Sequence, residues 1–165
     1  MGRFISDPAW LAVLQEHEDK LRFDAFTRED ALDIGLEILK LAKERYKEDL
    51  CVSITEDDSV IFSCKMAASK LENDAWMLRK RNVSKLTGVS SLRAYLEIEA
   101  GLRKETWLDR EDSFVACGGC FPVLMRQGET FVYITVSGLA HYLDHQIIAD
   151  ALAEHLNVSI GVLKV

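Results

Sequence analysis

The 165-residue chain is 48% hydrophobic and 28% charged, ordinary proportions for a protein with one buried core. Twenty Lys and Arg stand against 27 Asp and Glu, a formal net charge of -7, which repels a phosphate backbone and argues against nucleic acid as a partner. No apolar run approaches the roughly 20 residues that span a bilayer, and no leader-like apolar stretch opens the sequence, so the expectation is one domain over residues 1–165, cytoplasmic and without a membrane partner.

Met1-Gly2-Arg3-Phe4-Ile5-Ser6 fits an N-myristoylation pattern loose enough to arise by chance. Ser6-Asp7-Pro8 offers a cap with proline at the first helical position, and Trp10, Val13, Leu14, His17 and Leu21 follow at helical spacing. Thr27 to Asp30 reads as a capping box with the shorter acid, ahead of an amphipathic helix through Tyr46. Leu50–Thr55 and Ser59–Cys64 are short and β-branched around Glu56-Asp57-Asp58, the pattern of a hairpin. Asn73 is placed to cap a third helix that Gly88 ends, and Ser90-Ser91 to cap a fourth through Gly101. Phe114–Cys117, Cys120–Met125 and Thr130–Ser137 predict three more strands, the last two joined through Gln127-Gly128-Glu129. Asp144–Leu156 predicts a last helix, with Asp144 either its cap or part of a ligand site with His145, before an apolar tail, Val158–Val165, that a neighbouring subunit or a sheet edge would cover. Hairpin, helices, meander and helix in that order predict an α+β fold with a five-stranded antiparallel sheet flanked by helices, of profilin-like architecture.

Three segments concentrate residues that folding alone does not demand. On the helix from Asn73, spacing puts Trp76, Arg79, Lys80 and Val83 on one face. An aromatic beside cations suits a flat anionic ligand; it equally suits a core tryptophan with solvated bases. In Cys117-Gly118-Gly119-Cys120-Phe121-Pro122 the glycines permit a bend and the close approach of a ligand, or simply a bulge. The CxxC within it is a redox pair, half a zinc site or two buried thiols; no second CxxC exists to complete a zinc site, and all four cysteines read as reduced. The third segment, Ser137-Gly138-Leu139 to Asp144-His145, puts a histidine near a helix N-terminus, where it stays neutral and either packs or binds. His17, on the apolar stripe of the first helix, is a satisfied core histidine or a metal or haem ligand.

Together, Asn73 to Val83, Ser90-Ser91, Gly118-Gly119 before Phe121-Pro122, and Val136-Ser137-Gly138-Leu139 with Asp144-His145 downstream resemble the haem-degrading-domain, or GlcG-like, superfamily, in its short single-domain branch. The resemblance covers Trp10 to Leu156. It implies a profilin-like fold, homo-oligomers from dimers upward, and in some relatives haem binding or a role in haem or cobalamin-linked metabolism. The leading reading is an oligomeric ligand-binding module in which Trp76, Arg79 and Lys80 hold an anionic group, Gly118 and Gly119 shape the floor and His145 is a polar anchor, with Phe121 and Ser137 in the same set; the iron of a bound haem would need His17, Cys117 or His145. Two departures stand out: Cys117 replaces a histidine usual before Gly-Gly, and Ala140 a proline after Ser-Gly-Leu. The same pocket read as an enzyme uses His145 as base or Cys117 as nucleophile; a third reading is a protein whose motifs only build a subunit interface.

Overall fold

The computed structural model describes residues 4–165, so Met1 to Arg3 of the myristoylation pattern lie outside the described residues. Helix α1 spans Trp10–Lys20, a two-residue strand β1 Arg22–Phe23, and α2 Arg28–Leu41, which runs on through a π-helical turn at Ala42–Tyr46. The hairpin is β2, Cys51–Glu56, and β3, Ser59–Lys65; α3 is Glu72–Thr87 and α4 Ser91–Glu99. Then come β4, Cys120–Pro122; β5, Leu124–Met125; β6, Val132–Ser137; and α5, His141–Leu156.

Several ends follow from local chemistry. Thr27 and Asp30 form the full capping box of α2, each side chain accepting from the other's backbone N–H. Ser90 caps α4 by accepting from Arg93 N, and α3 stops at Gly88. The caps expected elsewhere are displaced. Asp7 accepts from Ala9 N in a turn ahead of α1, and Asn73 lies inside the first turn of α3, reaching back to Lys70 N and across to Ser137 Oγ. The start of α5 carries no side-chain cap at all.

The main sheet has four strands in the order β3-β2-β6-β4, every neighbour antiparallel. A separate parallel pair joins β1 to β5. This corrects the expected five-stranded antiparallel sheet. Residues 114–117 are no strand because their amides turn to other partners: Phe114 N bonds to Arg110 O and Val115 N to Arg79 O at the edge of α3. The segment from Cys120 divides because Pro122 has no N–H for a ladder and sits on the edge strand, and Leu124–Met125 then swings out to pair with Arg22–Phe23.

Alternation along the strands gives the sheet two unlike faces. Val52, Ile54, Phe121, Ile134 and Val136 share one apolar core with α2 and α5, including Ile34, Ile38, Ile147 and Ile148. The opposite face carries Cys51, Ser53, Thr55, Cys120, Thr135 and Ser137, all buried; α3 meets it, with Lys80 and Ser84 among its buried residues. A second apolar cluster joins Trp10 and Leu14 of α1, Val83 of α3, Leu92, Tyr95 and Leu96 of α4, and Trp107.

Leu163 of the C-terminal tail fills that second cluster. Lys164 O accepts from Trp10 Nε1 at 2.8 Å, and Leu163 N donates to Gln146 Oε1 at 2.9 Å. Its own chain therefore clasps the tail at Leu163 and Lys164; burying one leucine there contributes roughly 1.5–3 kcal/mol.

Candidate functional site

A cavity of about 440 Å³ opens where the first turns of α3 meet the β6–α5 connection. Lys70, Asn73 and Trp76 line it from one side, Ser137, Gly138, Leu139, Ala140 and His141 from the other, and Phe4, Asp49 and Cys117 complete the wall. Its volume falls within the ~300–1,000 Å³ usual for small-molecule sites. Because α5, a helix of 16 residues, begins at this wall uncapped, the positive end of its dipole and its first unpaired amides lie where an anionic group would sit.

Lys80 and Asp144 form the floor. Lys80 Nζ donates to Asp144 Oδ2 at 2.9 Å and to Val136 O at 2.9 Å, and Asp144 Oδ1 accepts from Leu139 N at 2.8 Å. Both side chains are 3% exposed. Burial pushes the Asp144 carboxyl up to about 6, against the pull of the Lys80 ammonium and the Leu139 amide. Asp144 is thus a buried ion-pair partner rather than the cap expected for α5.

Gly118 and Gly119 hold this floor in place. A Cβ on Gly118 would lie 2.1 Å from His141 O; one on Gly119, at φ 131°, would lie 2.5 Å from Val136 O and 2.7 Å from Lys80 Nζ. The close approach read from the sequence is therefore made by backbone and by Lys80.

Three histidines are buried here, and their hydrogen bonds fix their tautomers. His141 Nδ1 accepts from Gly118 N at 2.9 Å, so Nε2 carries the proton and donates to Ile5 O at 2.6 Å. His17 Nε2 meets Gly161 O at 2.8 Å and must donate, leaving Nδ1 to accept from His145 Nε2 at 3.2 Å. The His17 and His145 rings stack at 5.5 Å between centroids, and His145 Nδ1 has no partner. Burial lowers the pKa of all three, that of His145 furthest.

The sequence-derived residues divide accordingly. Trp76, Lys80, Ser137 and Cys117 line the cavity. Arg79 turns its guanidinium over the Trp76 ring at 5.1 Å. Phe121 and His145 are buried, 5.6 Å apart between ring centroids and outside the cavity lining, and His17 lies with His145. Lys80 lines the cavity with its ammonium already paired to Asp144, and His145 lies behind the cavity wall. Phe4 was missed, and His141, inside the third segment, was given no role. His141 stands two residues past Ser-Gly-Leu, where its spacing gave it no chemistry of its own; nothing in the sequence marks Phe4.

Among the described residues no cluster of His, Cys, Asp and Glu is disposed to hold a metal ion, and no helix is long and apolar enough to cross a membrane. The Haem degrading protein HbpS-like family model matches residues 26–153. A UPF0303 protein of Yersinia pseudotuberculosis serotype O:3 (strain YPIII) is 33% identical over 159 residues, covering 93% of this chain and 91% of the relative. Of solved structures, the Ybr137w protein superposes with a TM-score of 0.75 at 24% identity, over 89% of this chain and 87% of that one. A complex of PduOC with haem gives 0.67 at 15% identity, over 85% and 99%, and HbpS gives 0.60 at 18%, over 81% and 91%. With its fold shared across these structures and a family match over most of its length, the chain belongs to the HbpS-like haem-degrading family.

Proposed function

We propose that the chain is a binding module for a small planar ligand bearing a carboxylate, seated in the cavity at the start of α5. The observation that carries this reading is the juxtaposition of an aromatic wall, Trp76, with an uncapped helix N-terminus in one cavity of ligand size. The anionic group belongs at the α5 amides, with Lys70 beside it, because Lys80 is committed to Asp144.

Haem is the ligand that a relative's complex names, and the donor set accommodates it in one way. Of His17, Cys117 and His145, Cys117 alone lines the cavity; His141 also lines it, but both its nitrogens are bonded. Of the three candidate ligands, Cys117 is therefore the one placed where it would meet a haem iron in this cavity. When bound, haem supplies an iron centre for redox or oxygen chemistry; Trp76 would stack on its plane and the α5 N-terminus and Lys70 would hold its carboxylates. An enzymatic use with Cys117 as nucleophile needs a base other than His145, which lies outside the cavity lining with its Nε2 turned to His17.

Haemin titration of protein purified without ligand tests the reading. A Soret band that survives gel filtration is expected, with its position altered in Cys117→Ala and its affinity lowered about tenfold in Trp76→Ala, the loss of one stacking contact. No retained band, or unchanged spectra and affinity in both variants, would sink it.

A homo-oligomer is a second inference, favoured by one observation: Leu71, Leu78 and Leu86 recur along the outer side of α3 and stay 83%, 46% and 52% exposed. Light scattering should give more than the 18.7 kDa of one chain; a monomer mass refutes it.

A further inference from the structure

One wall of the cavity is a strap, Phe4–Ile5, that belongs to no helix or strand. The half-buried Phe4 ring lies 6.4 Å from Trp76, 5.6 Å from Tyr95 and 5.0 Å from His141, between centroids. Its backbone is held through one hydroxyl: Tyr95 Oη accepts from Phe4 N at 2.9 Å and donates to Phe4 O at 3.0 Å. The bond from His141 Nε2 to Ile5 O is the next tie. Ile5 to Ala9 are exposed, so the Phe4 ring, packed against the second apolar cluster, is the main apolar surface that holds the strap down. Segments with few buried contacts open at a small fraction of the global unfolding free energy.

The Phe4 ring meets Trp76 edge-on within the cavity wall, and His141 ties the strap to Gly118, next in sequence to Cys117. We propose that Phe4 is a removable gate over the cavity, with Tyr95 and His141 as its latch, so that a planar ligand entering against Trp76 displaces the Phe4 ring. The choice of ligand rests on the function proposed above; the gate does not, and it is testable without any ligand.

Cys117 is the reporter, since it is 1% exposed and lines the cavity, whereas Cys120 is fully buried outside the lining and Cys64 is half-buried on β3. Iodoacetamide labelling would be followed by peptide mass spectrometry in the wild type, in Phe4→Ala, which removes the gate, and in Tyr95→Phe, which removes the hydroxyl that holds it. Cys117 should react about tenfold faster in each variant, the effect of losing about 1–2 hydrogen bonds or a ring contact from the closed state, with Cys64 and Cys120 unchanged. A wild-type Cys117 rate in Phe4→Ala overturns the gate, and one in Tyr95→Phe overturns the latch. Equal acceleration of all the thiols makes the strap part of the fold and overturns both. Failure of haemin to bind would leave these outcomes intact and count only against the proposed ligand.

Discussion

Lys80 was legible as a neighbour of Trp76 on one helix face, but its partner was not. The helical spacing that puts it beside Trp76 is a local property, whereas the carboxylate that claims it lies 64 positions away on α5, a pairing that no local pattern encodes. The glycine pair shows the same limit: the need for a missing Cβ was readable, but not that Val136 O, His141 O and Lys80 Nζ are what crowd it. The pair makes a sharp prediction. Lys80→Met strands the Asp144 carboxylate in a buried site and should cost about 3–5 kcal/mol, whereas Lys80→Met with Asp144→Leu should recover most of that, because no charge then remains to be desolvated. Denaturant unfolding near neutral pH would measure both. The single variant should also be penalised less in acid, where Asp144, already at about 6 in the wild type, takes up a proton. If the double variant is no more stable than the single one, the ion pair does not account for the loss.

Elements with their own sequence signals came through: the hairpin, the capped helices α2 and α4, and β6. Those set by distant partners did not. The parallel pair β1-β5 joins residues 22–23 to 124–125, and two-residue strands carry no periodicity. The tail's clasp likewise depends on α1 and α5 meeting through the His17–His145 stack. That junction has a pH signature. His17, His141 and His145 all bind protons less readily folded than unfolded, so the unfolded chain holds more protons below about pH 6.5 and stability falls as pH drops through that value. Asp144 acts in the opposite sense. Raised from 3.8 to about 6, it binds protons more readily in the folded state and favours folding as pH falls between those values. Three imidazoles outweigh one carboxyl, so urea midpoints should drop from about pH 7.5 to about pH 5. His145→Gln keeps a donor for His17 Nδ1 but does not titrate, and should shallow that slope. An unchanged slope would place the protons elsewhere.

At the scale of the whole molecule, the asymmetry of the sheet decides where a site can form. One face is closed by α2 and α5 into an apolar core, while the other lays Ser, Thr and Cys side chains under α3, and the cavity opens at the end of that polar layer. The alternation was present in β2 and β6 from the start, as Cys-Val-Ser-Ile-Thr and Val-Tyr-Ile-Thr-Val-Ser, but alternation of that kind ordinarily means a solvated face, and only the position of α3 shows that it is buried. Burying hydroxyls in this way carries a cost that can be measured at Thr55. The residue is fully buried, and its Oγ1 has no hydrogen-bond partner. Thr55→Val replaces an unsatisfied hydroxyl with a methyl of similar shape on a β-branched side chain, and should raise stability by about 1 kcal/mol. Ile54, the next residue, faces the apolar core and is equally buried. There the reverse substitution, Ile54→Thr, shrinks the side chain and introduces an unpaired hydroxyl, and should cost at least about 2 kcal/mol. Opposite signs at adjacent positions, read as shifts in the urea midpoint, would follow from two faces of different chemistry. A loss at Thr55 comparable to that at Ile54 would mean that its hydroxyl is satisfied within the layer, as those of Thr135 and Ser137 are.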